Sequence, residues 1–169
     1  MSQSITSKEY FKTLSILHGA IFLGSLLFFI VAIFLFEEDA SFKKLAESEY
    51  QVLLGFATLS VVVIFIVKFI YPFIVYKAIQ KNEFLKHKMQ KYQTASLVKF
   101  ALFELIIFAS IIAFIYLLNF WYLVVSIIFL ILLFFEKPDR YKIIRGLKLN
   151  EEESKHINNP DAIISEKPY

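Results

Sequence analysis

From Leu14 to Phe36 the chain reads LSILHGAIFLGSLLFFIVAIFLF, without one Asp, Glu, Lys or Arg. A run of roughly 20 apolar residues matches the hydrocarbon layer of a bilayer, where helices satisfy their own backbone. Three further apolar runs follow, at about 52–75, 97–118 and 120–135. With 58% apolar residues in 169, including 20 Phe, the chain has more apolar surface than one soluble core could hide. The expected fold class is therefore an all-α membrane protein, a four-transmembrane-helix bundle with spans at about 14–36, 52–75, 97–118 and 120–135. The first run is too long for a cleaved signal peptide, and EEDASF follows it where a small-residue cleavage site would stand.

The absence of Cys excludes disulfide exchange, thiol nucleophiles and thiolate metal sites, and with them the quinone-linked thiol oxidases of four-helix form. Three His, at positions 18, 87 and 156, are too few and too scattered for the paired axial ligands of a haem bundle. No Gly-rich phosphate loop, paired carboxylates or hydrolytic triad is present. Neither a cofactor nor a metal is expected, and the chain does not read as an enzyme. Its excess of Lys over Arg and its Phe, Ile and Asn bias point to an AT-rich, bacterial genome.

Orientation follows from where Lys and Arg fall. Lys8 and Lys12 precede the first run, and Lys77, Lys81, Lys86, Lys88 and Lys91 follow the second. Lys137, Arg140, Lys142 and Arg145 follow the fourth, while the stretch after the first run is acidic. Both termini and the middle loop are thus placed in the cytoplasm, at the inner membrane of a bacterium. Lys residues there gain roughly 1 kcal/mol each from anionic headgroups, which makes lipid the expected partner and nucleic acid a poor one.

Thr6 and Glu9 have capping-box spacing, which starts the first helix well before the membrane. LNFWYL reads as a tight turn with Tyr116, Trp121 and Tyr122 at the outer interface. A short cytoplasmic helix begins near Pro138 and ends near Gly146, and Asn150 with Glu153 could cap one further turn. NEEES otherwise reads as a solvated helix start. Residues 1–157 form one domain in this reading, and 158–169 a flexible tail.

A shift of 81 positions pairs Thr13 with Thr94, Ser15 with Ser96, Ala20 with Ala101, Phe22 with Phe103, Ile30 with Ile111 and Ala32 with Ala113. The pattern is that of two duplicated hairpins related by an axis along the membrane normal. Ser15–Gly19 and Ala20–Gly24 have the small-x-x-x-small spacing that permits close helix approach.

Charged groups inside spans cost about 2.5–3.5 kcal/mol each and so need protein or water around them. Glu104 lies roughly 11–13 Å beyond the cytoplasmic end of its span and Lys68 roughly 10–12 Å from the same surface, at 1.5 Å per residue. Lys99 sits five positions before Glu104, about 140° away around the helix, and can snorkel to the cytoplasm. The pair expected from depth is Glu104 with Lys68, as a structural lock or a transport site, with His18 and Lys99 as secondary polar groups. Pro72 removes the helical donor of the Lys68 carbonyl, so a kink and a charge coincide. His18 alone reads as a packing residue near the helix end.

Tyr92, Thr94, Ala95, Lys99, Ala101, Leu102 and Glu104, within YQTASLVKFALFE, lead into the third span, and Pro138, Ile143 and Leu147, within KPDRYKIIRGLKL, follow the fourth. In these segments the chain resembles a group of small uncharacterised bacterial four-helix inner-membrane proteins. Leu105 stands where that group usually has Gly. The resemblance implies a four-helix inner-membrane protein without an assigned activity. A non-enzymatic structural or accessory component is the expected function, self-associating or joined to a partner membrane subunit. The alternative is a small oligomeric proton- or cation-coupled transporter working through Glu104.

Overall fold

The computed structural model describes residues 5–36, 40–41, 47–71, 73 and 84–164. These are helical, with no strand among them: α1 (Ser7–Phe36), α2 (Glu47–Phe65) running into a π-helical turn (Ile66–Ile70), α3 (Leu85–Leu117), α4 (Trp121–Phe135), α5 (Arg140–Leu147) and α6 (Glu151–Asn158). Three segments, Ser7–Phe36, Glu47–Ile70 and Leu85–Leu117, are long and apolar enough to cross a membrane. The fourth, Trp121–Phe135, has 15 residues and reaches that length only when α5 is counted with it.

The chain divides into two compact units. Unit 1 holds residues 1–18, 68–98 and 137–169, and unit 2 holds residues 19–67 and 99–136.

Unit 1 turns charged side chains such as Lys142, Arg145 and Glu152 outward. Tyr10, Leu14, Leu85, Met89, Tyr92, Ile143, Leu147, Ile157 and Ile164 form its core. Leu85, Met89 and Tyr92 recur at helical spacing, so the Lys-rich stretch expected to be a loop is, from Leu85 onward, the first turns of α3. Lys77 and Lys81 lie outside the described residues. The expected capping box forms at the start of α1, where the Thr6 amide and hydroxyl donate to Glu9 Oε2 at 2.9 and 3.0 Å. Residues 160–164 do not trail away. The Ser7 and Lys8 amides donate to the Ala162 and Pro160 carbonyls at 2.9 and 3.0 Å, and the Ile164 amide donates to the Ile5 carbonyl at 2.9 Å. The first amides of a helix lack partners within it, and here the C-terminal strap supplies them. That demand, together with burial of Ile164, corrects the flexible-tail expectation as far as residue 164. It also puts the two described chain ends side by side. Lys148, with φ 49°, closes α5 in the left-handed region, as helix ends often do.

Unit 2 is apolar inside and out. Phe100, Phe103, Ile106, Ile107, Ile111 and Phe114 of α3 are buried with Tyr122, Phe129 and Leu133 of α4. Edge-on aromatic contacts join Phe103 to Phe129 at 5.8 Å and Phe56 of α2 to Tyr122 at 5.9 Å. Tyr122 is therefore a core residue whose hydroxyl donates to the Glu49 carbonyl at 3.3 Å, not the interfacial ring expected of it. Tyr116 and Trp121 do lie exposed. The turn between α3 and α4 has Leu118 at φ 51° and is tied to Ser41 by two backbone hydrogen bonds of 3.2 and 3.3 Å. Asn119, buried in that turn, accepts from the Trp121 amide at 3.2 Å.

Candidate functional site around Glu104

Glu104 lies on α3 within unit 2, half-buried. Its level is fixed by ring contacts and an ion pair in that unit. Lys99 Nζ donates to Glu136 Oε2 at 2.6 Å, and two residues before Glu136, Phe134 of α4 meets Phe22 of α1 at 5.6 Å. Farther along, Phe28 of α1 meets Phe108 of α3 edge-on at 5.2 Å. The two helices thus run in the same direction, with position 28 facing position 108. One turn back on each helix, on the same faces, stand Gly24 and Glu104. Gly24 is exposed. A Cβ placed on Gly24 would meet nothing within 4 Å, and the same holds for Gly19. The small-x-x-x-small spacing does not serve a close approach inside the chain, as its sequence pattern led one to expect.

Ser25 follows, fully buried at the same level, and its hydroxyl has no hydrogen-bond partner. Ser60 of α2, in the same unit, is likewise buried without a hydrogen-bond partner. Ser110 and Ser126 donate back to the carbonyls four residues earlier, at 2.6 and 3.4 Å, as membrane-helix serines commonly do. An unpaired hydroxyl in an apolar core costs about 1–3 kcal/mol. Glu104 lies five residues, about 7 Å, deeper than Lys99.

Of the other expected residues, Lys99 lies in unit 2, and Lys68 and His18 lie in unit 1. Lys99 does not stand alone at the boundary but holds Glu136, with side-chain exposures of 21% and 12%. Lys68 is exposed, on the π-helical turn, in unit 1. A proline at 72 offers no amide to the Lys68 carbonyl, and the backbone there widens as an i→i+5 turn would allow. Pro72 itself lies outside the described residues. Since Lys68 belongs to unit 1 and Glu104 to unit 2, their pair is a feature of neither unit by itself. His18 is buried on α1 in unit 1.

A second ion pair had not been expected. Lys88 Nζ donates to Glu153 Oε1 at 2.6 Å with side chains 5% and 6% exposed. Glu153 is more than a solvated helix start: its other oxygen accepts from the Asn150 amide at 3.0 Å, while Asn150 Oδ1 accepts from the Glu153 amide at 2.7 Å. The capping box is the signal that could have found it, because a box holds its Glu in place for a buried cation. Among the described residues no group of three or more His, Asp or Glu could hold a metal.

Of the residues that carry the resemblance, Tyr92 and Ala95 are buried on α3, and Ile143 and Leu147 belong to the core of unit 1. The chain matches no family model, no curated protein and no solved structure.

Proposed function

We propose that the chain is a non-enzymatic multi-pass protein of a bacterial inner membrane, crossing four times with both termini in the cytoplasm. In this reading it serves as a structural or accessory component of a membrane assembly. One observation carries the proposal: unit 2 turns Leu27, Phe34, Leu35, Val61 and Phe135 outward while its inside is already apolar. Water would penalise that surface, whereas acyl chains welcome it. The carboxylates also support a structural role, since Glu9 is spent on a helix cap, Glu136 on Lys99 and Glu153 on Lys88. The exposed cations Lys137, Lys142, Arg145 and Lys148, which follow α4 directly, suit anionic headgroups. The test is purification from native membranes in mild detergent. A second copy or a partner chain in fixed proportion supports the reading, and a lone monomer counts against it.

The half-buried Glu104 carboxyl within an apolar unit favours a second reading, a small carrier that passes protons or cations by way of this carboxyl. Proton flux into liposomes that Glu104→Gln abolishes would establish it. Equal flux with the variant would end it.

A further inference from the structure

The accessory reading leaves open what the chain joins, and the inference here rests on that reading. Within unit 2, α3 buries Phe103, Ile107, Ile111 and Phe114 and turns Ala101, Leu105, Ile112 and Tyr116 outward. The outward residues recur at steps of four and seven, so they form one stripe along the helix. Glu104 stands at the edge of that stripe, half-buried, beside Leu105 and one turn after Ala101. Glu136 of the same unit holds Lys99, but Glu104 has neither a hydrogen bond nor an ion pair among the described residues.

Acyl chains offer such a carboxyl no polar atom, so its cost falls to whatever protein covers it. A second copy of the chain answers that need by symmetry. A two-fold axis along the membrane normal brings an identical carboxyl to the same depth, and patches related by such an axis meet themselves. Carboxyls that share protons act as donor and acceptor to each other. The approach is open around them. Ala101 is small and exposed, and so is Gly24, one turn before the Phe28 that meets Phe108. Small residues let membrane helices come close.

We infer that the outward face of α3 is where two copies of the chain meet, side by side about a two-fold axis, with their Glu104 carboxyls hydrogen-bonded to each other. The carboxyl is then an interface residue, matched by its own counterpart.

The experiment uses the full chain in two ways. Leu105→Cys, and Val61→Cys on the outward side of α2 as control, are oxidised with copper phenanthroline in native membranes. Position 105 is expected to cross-link two copies and position 61 to leave them single. Energy transfer between copies labelled at Lys8→Cys, in liposomes of rising lipid content, then gives the strength of association. Glu104→Leu is expected to weaken it about tenfold, and Glu104→Gln to keep it within about threefold, since paired amides also donate and accept. Ala101→Phe is expected to weaken it as well with the thermal midpoint unchanged, because its bulk falls on an outward position. An equal loss in Glu104→Gln and Glu104→Leu, or cross-linking at 61 in place of 105, would overturn the inference. So would restoration of a poorly folding Glu104→Ala by Lys68→Met, which would assign the carboxyl to Lys68. Association untouched by Glu104→Leu and Ala101→Phe removes this interface and keeps the accessory reading. A chain monomeric at every dilution also removes it, and a different chain copurifying in fixed proportion would then keep the accessory reading alone.

Discussion

Unit 1 hides Leu85, Met89, Ile143, Leu147 and Ile157 and turns Lys142, Arg145, Lys148 and Glu152 outward, whereas unit 2 hides Phe103, Ile107, Phe114 and Leu133 and turns Leu27, Phe34, Val61 and Phe135 outward. Their polar groups differ in the same sense. Unit 1 bonds across elements: Ser7 Oγ donates to the Ile157 carbonyl at 2.7 Å, the Tyr10 hydroxyl to the Met89 carbonyl at 2.7 Å, and Lys88 to Glu153. Unit 2 mixes the two, with Ser110 bonding back to Ile106 within its helix and Lys99 to Glu136 across elements. A domain in water can leave a donor to solvent and spend side chains on tertiary contacts, whereas a helix in oil satisfies itself first. The two units thus differ in the surface they expose, and the boundary between them falls within α1 and within α3.

Substitutions that break this contrast should rank by how much partnering they remove. Lys88→Met in unit 1 strands the buried Glu153 and is expected to cost about 3–5 kcal/mol, seen as a lowered unfolding midpoint in detergent. Adding Glu153→Leu should recover much of that loss, and failure to do so would show that the pair is not the source. Removing residues 159–169 deprives α1 of two amide partners and exposes the site of Ile164. A loss of about 2–4 kcal/mol is expected, with fast hydrogen exchange confined to the amides of Ser7 and Lys8. In unit 2, Lys99→Met strands a less buried partner, and about 1.5–3 kcal/mol is expected from the same melt. Asn150→Ala takes away one cap and should cost about 1 kcal/mol. Smallest of all, Leu27→Ser on the outer face of unit 2 should shift the melt by less than about 0.5 kcal/mol. A large loss there would mean that the exposed face is packed against protein.

Much of this was legible in the residues. Hydropathy alone marked the apolar parts of α1 to α4, and two spacings, Thr6 with Glu9 and Asn150 with Glu153, marked real caps. Hydropathy also misled, because it ended the third helix at the membrane. The Lys residues between Leu85, Met89 and Tyr92 masked an apolar stripe that faces unit 1's core. Tyr122 was assigned by its type to an interface, yet its ring had a core partner in Phe56 on another helix. Depth reasoning searched for a partner to Glu104 and passed over Glu136, which stands at the end of α4 level with Lys99. The exposure of Gly24 could not be read from spacing, since the same pattern serves both a close contact and an open surface.

The central claim is that unit 2 sits in lipid with both chain ends on the cytoplasmic side. The chain has no Cys, so single-cysteine variants report without background. Lys8→Cys, Lys142→Cys, Glu47→Cys and Leu27→Cys, treated with a membrane-impermeant maleimide before and after the membrane is opened, test it directly. Position 47 is expected to react in intact cells, positions 8 and 142 only once the membrane is opened, and position 27 under neither condition. Reaction at 27 in intact cells, or at 8 and 142 on opposite sides, would contradict it.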